Sequence, residues 1–590
     1  MSDWWPGFYP PDDESDDSDD NQKESEETLD SIKHSKTINF PIRASYTKWE
    51  SREAFRESFD LSEDDFKVTR AERKDGPATK IVYTAVNSSS LTQPKTCLGY
   101  IRFKTTQGHD NGGIIEIVNR STTLQPWHLD LGGTSKADDT SQAGAHGEGL
   151  KVALLILMRR PWNFAIRCIS GGFDWSFNFT TQGKLSAHLE RMSPASIRSV
   201  EAKSERESRG ASLLPFPASC EKDVQFVIGE TVQGRNEKGA SVRRRAVPLA
   251  TFLHWTEAAL FLQEIEDGGI ISTKYGSLLT APQLSGRVYL KGLLLKDSRK
   301  VSASVTGKRL KFGYDFKAGT TNRERQSMTT ATEEAQALWR IWNNVLDTKP
   351  DLVAALSEML NVHSVSQEYA DVAQAANYLE EATARKLKDY LCSGKFRGKW
   401  YYQADEQSQN TRFKHVVEGL GCTPIKLSRD YWDILKYYDL LRTAEQEEQL
   451  RFSRAPVSQR ERNTTFSQSI FRLLRASFRA CSQTSNYRIE FVQAGQLSLH
   501  ICVYQQQHTI KVHEQWLEKP FAAKELGLEV DELAETDLLF YAVGTLFRDA
   551  VEQLPDGRFK RWSREGRTPS WYRRQEVRRT EQRLLNYARI

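Results

Sequence analysis

One stretch constrains this chain more than any other: Leu129 to Arg160, LDLGGTSKADDTSQAGAHGEGLKVALLILMRR. Two glycine clusters, Gly132-Gly133 and then Gly144, Gly147 and Gly149, bracket a polar insert and lead straight into an almost wholly apolar helix, Leu150 to Met158. Glycine lets backbone N–H groups turn toward a ligand and approach it closely. A helix starting directly after such a bend adds its unpaired N–H groups and the positive end of its dipole, which favours bound phosphate. Lys136 and Lys151 sit at the two edges of that frame. The same composition also suits an ordinary loop capping a core helix; the repeated cluster and the two lysines shift the reading toward an anion site.

At 590 residues the chain is too long for one core, and typical domain sizes suggest about three or four units. A hydrophobic share of 38% supports globular folding, while no apolar run approaches the roughly 18 residues that cross a bilayer. No secretory signal is visible at the acidic N-terminus. Seven scattered cysteines form no metal spacing and read as free thiols of a reducing compartment, so an intracellular protein, in cytoplasm or nucleus, is expected without disulfides or a membrane.

The net charge of +4 conceals an asymmetry: Asp12 to Asp30 is densely acidic, whereas Arg558 to Arg589 holds ten arginines and a lysine. Such ends attract one another or recruit different partners. With Trp562, Trp571 and Tyr572 interleaved, the basic tail suits nucleic acid through phosphate neutralisation and stacking, although a charge-rich last helix (Gln575 to Ala588) equally serves as a solvated face.

Residues 1–36 are too polar to bury a core, and order is expected from about Ile38. Thr47-x-x-Glu50 resembles a capping box opening a helix on which Glu57, Leu61 and Asp64 share a face. Strands are predicted at Ala78–Val86, Leu98–Thr105 and Ile114–Asn119, with His109 to Gly113 as a hairpin turn. Further strands are predicted at Phe164–Ser170, Phe173–Phe179, Leu185–Arg191 and Val224–Gly229, with 193–222 as a surface loop. Arg243, Arg244 and Arg245 read as a solubilising run. Leu249–Gln263 is predicted helical, and Arg287–Leu295 and Leu310–Phe316 as strands. Beyond Thr330 helices dominate: Thr330–Leu346, Pro350–Leu360, Tyr369–Leu391 and Asp430–Arg451, interrupted by an ill-defined 393–410. A last α+β unit has a helix at Phe466–Cys481, strands at Arg488–Val492, Leu497–Tyr504 and Thr509–Val512, and a helix at Asp537–Gln553. His513-Glu514 lacks the second histidine of a zinc-protease helix.

LGGTSK followed by GAHGEGLK resembles the second glycine motif and lid-to-helix segment of the GHKL ATPases, the Bergerat-fold group of gyrase, MutL, MORC proteins and a heat-shock chaperone. The resemblance runs from about Tyr46 to Glu230. It implies a Bergerat-type α/β sandwich that binds ATP (37–235) followed by a transducer-like α/β domain (236–330); with the patterns above, the expected α/β (α+β) chain also has an acidic tail (1–36), a helical region (331–455), an α+β C-terminal domain (456–556) and a basic tail (557–590).

By the same resemblance Glu57 is the general base that prepares water, and Asp64 matches the motif's acid. Asn119 stands at the position of the adenine-recognising aspartate, with Ser121 and Thr123 where that motif has glycines. Gly132, Gly133, Thr134, Lys136, Gly144, His146, Gly147, Gly149 and Lys151 would hold the nucleotide, and Arg323 or Arg325 would reach its terminal phosphate from the transducer. Leu61 replaces the magnesium-binding asparagine, and an apolar side chain cannot ligate Mg²⁺. Asn119 can still accept a hydrogen bond, but without charge. The implied cofactors are ATP and Mg²⁺; the implied partners are a second copy of the chain and a protein client. Three readings stay open: a slow ATPase or nucleotide-gated switch, a pseudo-ATPase scaffold, and a MORC-like ATPase contacting nucleic acid.

Overall fold

The computed structural model of the chain describes residues 28–40, 51–56, 66–75, 78–87, 96–106, 112–129, 149–209, 213–295, 302–320, 328, 330–364, 367–394, 398–409, 411–459, 463–528, 534–559 and 568–588. It is a mixed α+β protein. The chain divides into two compact units, Met1–Ala303 with Phe312–Met328, and Ser304–Lys311 with Thr329–Ile590.

In the first unit the chain runs β1 (Ser35–Asn39), α1 (Ser51–Arg56), β2 (Phe66–Asp75), β3 (Ala78–Asn87), β4 (Cys97–Thr105), β5 (Gly112–Asn119), α2 (Gly149–Met158), β6 (Ile166–Ser170), β7 (Phe173–Phe179), β8 (Leu185–Arg191), α3 (Pro194–Arg209) and β9 (Val224–Ile228). There follow β10 (Gln233–Arg235), β11 (Ser241–Arg243), β12 (Val247–Pro248), α4 (Leu249–Thr256) and the small strands β13 (Ile270–Thr273), β14 (Gly276–Leu279), β15 (Val288–Leu290), β16 (Leu293–Leu294) and β17 (Gly313–Phe316). The large sheet has the order β1-β8-β7-β6-β9-β5-β4-β3-β2, with β12 added against β5.

Alternation along β3, β4 and β5 gives this sheet two different faces. Ile81, Tyr83, Ile101, Phe103, Ile115 and Ile117 join the main core together with α1, α2 and α4. Within it Phe55 of α1 stacks on Trp255 of α4 at 5.2 Å, and Phe252 stacks on Phe103 at 5.1 Å. The Trp255 indole N–H donates to Ser51 Oγ at 3.0 Å, so α4 is tied to α1 by a buried bond as well as by packing. The opposite face is covered by Leu214, Phe216 and Ala218, packed on Val82, Tyr100 and Val118, and by α3.

Several expectations are corrected. Order reaches back beyond Ile38, since Leu29 and Ile32 belong to the core and β1 crosses the expected 36/37 boundary. Residues 194–209 are helical rather than looped: Ser193 Oγ accepts the amide of Ser196, a cap just ahead of Pro194. α3 buries no residue fully; Ile197 and Val200 pack on Ile169, Met192 and Cys220, and Glu207 ties the helix to Arg102 at 2.7 Å. Domain 37–235 does not end at 235, because β12 returns to the large sheet and Phe252 and Trp255 complete its core. The following sheet, ordered β13-β14-β17-β15-β16, lies in the same compact unit.

The second unit begins with α5 (Ala331–Thr348), α6 (Val353–Leu360), α7 (Ala375–Tyr378), α8 (Glu381–Leu391), β18 (Lys399–Tyr402), α9 (Ala404–Gln409), α10 (Phe413–Gly419), β19 (Thr423–Lys426), α11 (Arg429–Tyr437) and α12 (Ala444–Arg454). It ends with α13 (Thr465–Ala480), β20 (Arg488–Val492), β21 (Ile501–Tyr504), β22 (Thr509–His513), α14 (Lys519–Glu525), α15 (Glu535–Glu552) and α16 (Pro569–Ala588). Two long predicted helices are broken. Gln374 takes a left-handed φ of 52° before α7. Asp439 does the same after α11, and a full capping box of Thr443 and Gln446 then restarts the chain as α12. The ill-defined 393–410 contains β18, which pairs in parallel with β19. The basic tail is not free along 569–588: α16 packs on α13 and α15 through Val577 and Leu584.

Candidate functional site

β5 and α2 carry the described part of the site. The alternation that buries Ile115 and Ile117 puts Asn119, the last residue of β5, on the same helix-covered face. Asn119 is half-buried and lies opposite Gly99. A Cβ on Gly99 would sit 2.4 Å from the Val118 carbonyl oxygen, so glycine is required there; on its other side Asn119 lies opposite Val224 of β9.

Two residues on, Ser121 adopts φ 56°, the left-handed region that glycine favours. Its amide donates to Asp223 at 2.8 Å, and the other oxygen of that carboxylate accepts the Ser219 amide at 2.8 Å. Leu124 N–H donates to the buried Ser170 hydroxyl at 2.9 Å. The turn after β5 is therefore pinned to Asp223, just before β9, and to Ser170, at the end of β6. Asp223 carries no motif in the sequence; an acid immediately before a strand was the sole signal.

α2 begins at Gly149, and every residue from Lys151 to Met158 is buried. At its C-terminal end the Met158 carbonyl accepts from Arg244, whose guanidinium also donates to Asn163 Oδ1 at 2.8 Å and to the Arg235 carbonyl. A cation there complements the negative end of the helix dipole. Arg244 is thus a buried strut rather than part of a solubilising run, and Arg245 donates to the Trp162 carbonyl beside the Phe164 ring. Arg243 and Arg245 both remain exposed.

Lys151 departs from the expected edge position: it has no exposed surface and is already engaged by protein groups. An ammonium at that depth needs such partners. On the back of the sheet Arg102 bonds Glu116 and Glu207, and Lys104 reaches Glu207 at 3.2 Å. Burial alone would raise the Glu207 carboxyl, yet the Arg102 guanidinium prevails and holds it below the usual range.

Of the sequence-derived site residues, Glu57, Leu61, Asp64, Gly132, Gly133, Thr134, Lys136, Gly144, His146, Gly147, Arg323 and Arg325 lie outside the described residues, as do the Thr47–Glu50 capping box and His109 to Asn111. The structure does bring their flanking elements together. α1, which ends one residue before Glu57, packs against α2, which begins at the last glycine of the second cluster. β4 and β5 pair antiparallel up to Thr105 and Gly113. Among the described residues no group of three or more metal-ligating side chains occurs, and no helix is long and apolar enough to cross a membrane. All seven cysteines are free.

The chain is in these terms an α+β protein whose antiparallel sheet carries three helices on one face. No protein-family model matches the sequence, and no curated protein matches it.

Proposed function

We propose that the first unit is a nucleotide-binding domain of GHKL type, with ATP against the helix-covered face of the large sheet beside Asn119 and its phosphates on the glycine segment leading into α2. One observation carries this reading: α1 and α2, the helices adjoining Glu57 and the second glycine cluster, pack on each other over the face that Asn119 shares. The left-handed φ of Ser121 supports it, because a motif glycine's backbone shape persists without the glycine. In this reading Glu57 prepares water, Mg²⁺ neutralises charge on the transferred phosphoryl group, Arg323 or Arg325 reaches the terminal phosphate, and nucleotide drives pairing of two copies. The free thiols fit a reducing compartment, cytoplasm or nucleus.

The enclosure of Lys151 favours a second reading, a scaffold in which turnover is lost and the fold serves as an interaction platform. Titrating the full chain with ATP and Mg²⁺ separates the two. A ligand specific to the folded state stabilises it by about 2.7 kcal/mol at a hundredfold excess over Kd. A rise in melting temperature supports nucleotide binding, and phosphate release abolished by Glu57→Ala supports hydrolysis. No rise at millimolar ATP sinks the nucleotide reading.

A further inference from the structure

We propose that the exposed faces of α13 and α16 form a docking surface for the phosphate backbone of duplex nucleic acid. α13 contains no acidic residue, and its solvent-facing stripe carries Arg472, Arg475 and Arg479 at helical spacing. Among the described residues none of these three, nor Arg578 of α16, has a carboxylate within ion-pair distance. The two acids of α16 are already occupied, Glu576 by Arg579 at 2.9 Å and Glu581 by Arg548 at 3.0 Å. The helices pack on one another, and Arg583 of α16 donates to the Ala480 carbonyl at 3.2 Å, next to Arg479 in the chain. The result is a concentration of positive charge on a rigid pair of helices rather than on a loose tail.

The shape of this charge selects the partner. Single strands are held by stacking bases on exposed aromatic rings, and among the described side chains neither exposed stripe carries one. Trp571 and Tyr572 are half-buried and lie edge-to-face at 5.0 Å. Guanidinium groups without a stacking platform suit backbone phosphates, whose neutralisation needs no base contact. Arg573 is excluded from the surface because it ties α16 to Asp556 at 2.6 Å and to the Leu554 carbonyl. The inference is independent of the nucleotide reading, since α13 and α16 belong to the second unit.

Fluorescence anisotropy of the full chain with a labelled short DNA duplex tests it. Four phosphate contacts give a salt slope of about −3.6, or about a hundredfold loss of affinity between about 50 and 200 mM salt. The triple variant Arg472→Gln/Arg475→Gln/Arg479→Gln should bind more weakly, with the slope reduced by about 2.7 and an unchanged melting temperature. If it does not fold, Arg475→Glu alone should weaken binding at low salt. The proposal is overturned by no binding at the lowest salt, by a variant that keeps the full slope, by preference for single strands, or by capture on phosphatidylserine vesicles without capture of duplex.

Discussion

The carboxylate of Asp223 accepts the amide of Ser121 across 102 residues of chain and holds that serine at φ 56°. For an L-residue with a side chain the left-handed region costs about 1–2 kcal/mol, and Asp223, almost fully buried, keeps the backbone there. Removing the acceptor leaves two amides unmet. Asp223→Ala is expected to destabilise the protein by about 2–4 kcal/mol in urea unfolding, whereas Ser121→Gly should cost nothing or stabilise by up to about 1 kcal/mol. A large loss with Ser121→Gly would mean that the hydroxyl, not the backbone shape, matters.

Arg244 and Arg243 are neighbours with opposite fates. Arg244→Met removes the donors to the Met158 carbonyl and Asn163 and should cost about 2–4 kcal/mol. The exposed Arg243→Ala should stay within about 0.5 kcal/mol. Equal effects in thermal melts would contradict the strut.

His500 makes stability depend on pH. Burial depresses its imidazole below the ordinary 6.5, outweighing Glu525, which lies 3.3 Å from Nε2; Arg412 adds to the depression. Trp516 and Phe521 complete its surroundings. With the folded pKa lowered, the unfolded chain takes up the proton first. The contribution of His500 is therefore present above pH 6.5 and is lost as pH falls through the depressed value. Melting temperatures of His500→Gln should fall less steeply than those of the native chain over that acid interval, and parallel curves would remove His500 as the cause.

Leu61 gives a gain-of-function prediction. Where the nucleotide reading holds, Leu61→Asn restores an oxygen ligand for Mg²⁺ and should raise phosphate release, with Glu57→Gln silencing the improved enzyme. An unchanged rate in a variant that still shows an ATP-dependent melting shift would mean that the site has drifted beyond this helix.

What could be read in the chain was what local pattern encodes. The strands β3 to β8 and the buried helix α2 stand within about two residues of expectation, because alternation and an unbroken apolar run need only their own side chains. The two edges of the large sheet, β1 and β2, escaped: FKVTRAERKD and SKTIN are polar, as edge strands must be to avoid pairing with other chains, and polarity hides the strand signal.

The sequence by itself therefore determined the central strands, the apolar helix and the glycine clusters that suggest a phosphate cradle. Tertiary structure alone decided that Asp223 anchors Ser121, that Arg244 caps α2, that Lys151 is enclosed, and that the arginines of α13 and α16 belong to packed helices. The reason is physical: Ser121 is met by Asp223, and Arg244 by Met158 and Asn163, far off along the chain, and a buried charge or a left-handed serine is affordable only once such partners are in place.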